Sequence, residues 1–189
     1  MKANRTFKWW DGVLFFAGVQ IAQWGLRAAV RGSRKTPSSH ADRSFYRRQK
    51  QPIFAPPGIA FPTAWTINSV CSIAGAIHVL NSTGHHKARR SFLRWQGVAW
   101  ALFAVFNTAY FELRSPINAA AVTFGYSLAT AASLRAALRM GDRRAALSLL
   151  PTVLWLTLAN PLALTTAAWN RDDFWHMRAI ARPPRWLLK

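Results

Sequence analysis

Long apolar stretches recur five times along this chain, each set off by basic clusters or turn residues. They run over about 9–30, 57–80, 95–113, 116–138 and 145–169. A hydrocarbon core about 30 Å thick is crossed by about 20 helical residues, so each stretch is long enough to span one. In lipid the backbone must satisfy its own polar groups, which leaves helices or closed barrels. These stretches are too long for barrel strands and rich in Ala and Leu, so they read as helices. The fold expected is an all-α membrane protein: a five-transmembrane-helix bundle, one domain over 1–189, with a basic tail over 170–189.

The charge balance tests this reading. Lys and Arg number 25 against six acidic residues, a net charge of +19. Taken alone, that excess suggests a nucleic-acid partner. The distribution excludes one. Basic runs such as Arg31-Gly-Ser-Arg-Lys35 and Lys87-Ala-Arg-Arg90 fall between apolar stretches, which is how a bilayer sorts residues. The partner expected is therefore a lipid bilayer. Five crossings put the first connection (Arg31, Arg34, Lys35, Arg43, Arg47, Arg48, Lys50) on the same side as the tail (Arg171, Arg178, Arg182, Arg185, Lys189). The positive-inside rule favours that side as cytoplasmic. Lys2, Arg5 and Lys8 precede the first stretch like a signal sequence, but Gln20, Gln23 and Trp24 interrupt it, so it reads as helix one.

Local signals place the boundaries. Pro56-Pro57 suits a helix start, and Ser115-Pro116 reads as an N-cap followed by the first helical residue. Met140-Gly141-Asp142 reads as a C-terminal glycine and a new N-cap, joining the last two stretches in a tight hairpin. Gln20, Gln23, Asn68, Asn107 and Asn160 belong in the bundle interior, as interhelical hydrogen-bonding groups or as a site. Arg27 and Arg135 are expected to snorkel. Trp9, Trp10, Trp95, Trp169 and Trp175 read as interface anchors. Ala119-Ala-Ala121 and Gly125 are the small residues a homodimer face would need.

Catalytic signatures are thin. Asp42, Glu112, Asp172 and Asp173 lie at or beyond segment ends. His78 is a loose metal candidate near His85-His86, without the further ligands a site requires. The single Cys71 excludes an intrachain disulfide and reads as packing. No enzyme activity, catalytic residue, metal or cofactor is expected.

The stretch from Phe45 to Trp65 reads FYRRQKQPIFAPPGIAFPTAW. Tyr46, Pro52, Pro56-Pro57, Phe61-Pro62 and Trp65 follow one another as in the TspO/MBR family of tryptophan-rich sensory and translocator proteins, which this segment resembles. A second resemblance lies in the last stretch, where Pro151, Trp155, Ala159 and Asn170 follow the family's order. The chain departs from the pattern at Ser69 and Thr152, where the family has tyrosine, and at Ala163, where it has asparagine. Counting back from Tyr110-Phe111 puts the family's helix-three Asn and Trp at Phe103 and Phe106; a shifted register would instead use Gln96 and Trp100.

The resemblance implies five helices and a ligand pocket between them, capped by the first connection. Its implied function is that of a membrane receptor or carrier for tetrapyrroles, porphyrin or heme-type, or a similar hydrophobic small molecule. Trp65 and Trp155, mid-helix, offer flat π-faces, with Phe103 and Ala159 nearby and Asn68 as an orienting group. Tyr46, Pro56 and Pro57 complete the candidate ligand-binding residues. Arg47, Arg48 and Lys50 would meet ligand carboxylates at the mouth or face anionic headgroups. Two other readings stay open: a membrane scaffold with a vestigial pocket, and a porphyrin-degrading enzyme.

Overall fold

The computed structural model describes residues 6–32, 44–84 and 86–189. The expectations that rest on Lys2, Arg5, Arg34, Lys35, Asp42, Arg43 and His85 lie outside the described residues.

Six longer α-helices lie among the described residues: α1 (Trp9–Arg31), α2 (Ala60–Asn81), α3 (His86–Asn107), α4 (Pro116–Arg139), α5 (Arg143–Ser148) and α6 (Leu150–Trp169). A single helical turn covers 44–48, and α3 runs on into a π-helical turn, Thr108–Glu112. The fifth expected segment is thus two helices, parted at Leu149-Leu150. Pro151 cannot donate to the preceding turn and opens α6 in its first turn. By length and composition α1, α2, α4 and the combined Arg143–Trp169 stretch qualify as membrane spans. The third does not qualify by itself, because its first turns hold Lys87, Arg89, Arg90 and Arg94.

The capping signals hold at α4 and α5. Ser115 Oγ accepts from Asn118 N at 3.0 Å, and the Asp142 carboxylate accepts from Ala145 N at 3.0 Å. Gly141 between them has φ of 66°, the left-handed region glycine enters without strain. Two boundaries move. Helix α2 begins at Ala60, after a turn in which Ala60 N donates to Pro57 O. Helix α3 begins at His86, ahead of its apolar part, because Lys and Arg are good helix formers that hydropathy cannot reveal.

Side chains tie the helices together. Ser72 on α2 donates to Gln96 Oε1 on α3 at 2.6 Å, and Gln96 Nε2 donates to Ser133 Oγ on α4 at 3.1 Å. All three are buried. Helix α2 passes very close to α5, since a Cβ on Gly75 would lie 1.9 Å from Ser148 Oγ. Ala119 and Ala120 are buried within the chain and Gly125 faces Leu102, while Ala121 is exposed. Arg27 is paired within the chain. Its Nε donates to Glu112 at 2.8 Å, and Arg31 pairs with the same carboxylate. Trp169 is buried rather than interfacial, whereas Trp9, Trp10, Trp95 and Trp175 are exposed.

A buried cluster of Val79, Phe92, Ala136, Ala137, Ala145 and Leu149 fills one end of the bundle. It joins the end of α2, the start of α3, the end of α4 and α5. At the opposite end the tail is folded back. Asp172 is buried and accepts from Ser115 Oγ at 2.7 Å and from Ile117 N at 3.0 Å. Further on, Ile53 N donates to Leu187 O and Lys189 N to Gln51 O, both at 2.9 Å. The first connection and the tail therefore touch.

Candidate functional site: a one-ended aromatic cup

Facing residues of α1, α2, α3, α4 and α6 leave a cavity of about 490 Å³. On α3 the side chains Phe103, Phe106 and Asn107 line it, at i, i+3 and i+4 of one helix face, and Tyr110 joins them from the π-helical turn. Gln96 and Trp100 do not line it. The face belongs to the Phe103/Phe106 register; Gln96 is spent on the Ser72–Ser133 bridge.

The indoles stand within the aromatic wall. Trp65 packs against Phe103 with ring centroids 5.2 Å apart and edge-on against Tyr126 at 5.4 Å. Trp155 packs edge-on against Phe61 at 5.5 Å, and Phe61 against Tyr46 at 5.4 Å. Each aromatic group is thus held in a T-shaped or tilted arrangement that favours its orientation. The cavity has a floor and a roof. Its lining reaches down to Ser69, Leu102 and Trp155, beyond which the buried cluster closes the bundle. At the other end it reaches Phe111, Pro116 and Thr166, the ends of three elements, and is bounded by Tyr46 and Gly58 of the first connection.

Five of the eight expected ligand residues line this cup: Tyr46, Trp65, Phe103, Trp155 and Ala159. Asn68, Pro56 and Pro57 do not. Asn68 is buried, and its Nδ2 finds no hydrogen-bond partner among the described residues; the next residue, Ser69, is the one that faces the cavity. Pro56 acts through its carbonyl, which accepts from Tyr46 Oη at 3.3 Å. Burial raises the Tyr46 phenol above its usual range, so it stays a neutral donor. His78 meets Asp142 at 2.9 Å, and no metal-holding cluster occurs among the described residues.

Tyr110 and Tyr126 also line the cup, beyond the residues expected from the sequence. The chain has only three tyrosines beside twelve phenylalanines, and all three face this cavity. That scarcity was the signal available. Ser69, Asn107, Tyr110 and Tyr126 make no side-chain hydrogen bond among the described residues, so their polar atoms are free for an occupant. No charged side chain is among the described lining residues.

An apolar helical bundle with four helices long and apolar enough to cross a bilayer makes this a multi-pass integral membrane protein. The model of the TspO/MBR family matches residues 19–169, which is most of the chain, and the protein belongs to that family. The match begins inside α1, well before the Phe45 at which the motif resemblance starts. A search of curated proteins finds no match to this chain.

Proposed function

We propose that this protein is a membrane receptor or carrier that binds a tetrapyrrole, or a similarly flat hydrophobic molecule, against Trp65 and Trp155. The observation that carries the reading is the cup itself. Its volume of about 490 Å³ falls in the range of about 300–1,000 Å³ typical of small-molecule sites. Its wall is aromatic, and its free polar groups are few and neutral. Ser69 and Ala163, which depart from the family pattern, both line it; small side chains there leave space for an occupant instead of filling the site.

The reading includes five crossings. From His86 to Glu112 the chain is one continuous rod, roughly 40 Å long at 1.5 Å per residue. Its basic first turns would lie in the headgroup layer, and the apolar remainder, from Trp95, crosses the membrane. Helices α5 and α6 together form the last crossing.

Titration of the purified protein in detergent with a porphyrin, followed by tryptophan quenching, tests the proposal. Saturable binding at one site without loss of porphyrin in light is expected. Absence of saturation would leave a scaffold, and consumption of porphyrin would make the protein an enzyme.

A further inference from the structure

The tail makes contacts that ligand binding in the cup does not itself require. Residues 44–58 form the roof, and two of them, Tyr46 and Gly58, line the cavity. A 3-10 turn over Arg185–Leu187 leads into residues 187–189, which run antiparallel to 51–53 with Pro52 and Leu188 directly opposed. Three hydrogen bonds join the segments: Ile53 N to Leu187 O, Lys189 N to Gln51 O, and Lys189 Nζ to Ala55 O at 3.0 Å. Pro52 is fully buried beneath this contact. Within the roof, Gln51 Nε2 donates to Tyr46 O at 2.7 Å and Tyr46 Oη donates to Pro56 O. The tail strand therefore grips a unit whose far side is the cavity wall.

We propose that residues 185–189 are a strap that holds the roof in place against the cup and so sets how fast the cavity exchanges its contents. The strap is a weak device by construction. It is a two-stranded contact of a few residues, and isolated pairs of this kind are marginal in water. Its exposed edge carries Trp186, which is 77% accessible. Such a strap can leave without unfolding the bundle, because the helices are joined by their own buried groups. The proposal does not depend on the identity of the ligand.

The test uses the full chain in detergent, with Cys71→Ser and Ala163→Cys. Ala163 lines the cavity, so its reaction with a small water-soluble methanethiosulfonate reports roof opening. Deleting 185–189 removes the three hydrogen bonds and should speed labelling by about tenfold or more. A second variant adds Pro52→Cys and Leu188→Cys. Opposed residues in a non-hydrogen-bonded antiparallel pair have Cα atoms about 4.5 Å apart, within the range of about 4.4–6.8 Å that a disulfide bridges. Oxidation before labelling should slow the reaction at Ala163→Cys, and reduction should restore it. Unchanged labelling after oxidation, or failure of the disulfide to form, overturns the proposal. So does a folded deletion variant that labels at the parent rate; if the deletion does not fold, the disulfide variant decides.

Discussion

Asn170 grips the backbone of Lys50 from both sides: its Oδ1 accepts from Lys50 N at 2.7 Å, and its Nδ2 donates to Lys50 O at 3.1 Å. The same Nδ2 donates to Thr166 O at 2.9 Å, so the end of α6 and the start of the roof share one buried amide. Asn170→Ala leaves these backbone groups without their partner. It should cost about 1–3 kcal/mol, the penalty for unsatisfied buried polar groups, seen as a lowered Tm in detergent. Asn170→Asp sets a buried carboxylate oxygen against the Lys50 and Thr166 carbonyls and should cost at least as much as Ala.

Gly75 is needed for its lack of a side chain. A Cβ there would stand 1.9 Å from Ser148 Oγ and 2.7 Å from Ser148 Cβ. Gly75→Ala should destabilise the protein by about 1–3 kcal/mol, as overpacking does. Adding Ser148→Gly removes both clashing atoms and should recover part of the lost Tm. A Gly75→Ala variant as stable as the parent would mean that α2 and α5 are not in this close contact.

Much of the architecture could be read from the sequence because a bilayer imposes segment length and charge placement. The caps at Ser115 and Asp142 were legible for a similar reason, being local chemistry. The start of α3 was hidden, since a Lys/Arg-rich turn looks the same to hydropathy whether it is helix or loop. The split at Leu149 came from Pro151, whose presence the sequence shows but whose backbone consequence depends on context. At the site, Trp65 and Trp155 were found by mid-helix position and motif. Asn68 was placed on the site face by helical spacing from Trp65, an argument too coarse to separate it from Ser69. The tail contact with 51–53 was invisible, because two-residue pairing between segments so distant leaves no periodic signal.

The five crossings proposed above have a direct consequence for sidedness. Thr83 and Arg182 are exposed at opposite ends of the bundle. In a Cys71→Ser background, Thr83→Cys and Arg182→Cys should react with an impermeant maleimide from opposite faces of a sealed vesicle. Labelling of both from one face would remove a crossing.

The neutrality of the cup predicts indifference to ligand carboxylates. Arg47 and Arg48 are exposed and do not line the cavity, so ligand carboxylates would meet them only in water. Exposed ion pairs contribute about 0–1 kcal/mol, so a porphyrin and its dimethyl ester should have Kd values within about fivefold. A loss of about a hundredfold on esterification, roughly 2.7 kcal/mol, would put recognition on the basic roof.

The central claim is that the occupant lies between Trp65 and Trp155. Each aromatic pair contributes about 0.5–1.5 kcal/mol beyond buried area. Trp65→Ala with Trp155→Ala should therefore weaken porphyrin binding by about tenfold or more, while Arg47→Ala with Lys50→Ala should weaken it less. The measurement is Kd for the parent and both double variants, by quenching of the remaining tryptophans at matched salt. Weaker binding in the Trp65/Trp155 variant with near-parent binding in the Arg47/Lys50 variant is the result predicted. Parent-like affinity in the Trp65/Trp155 variant, with binding lost in the Arg47/Lys50 variant, would contradict it.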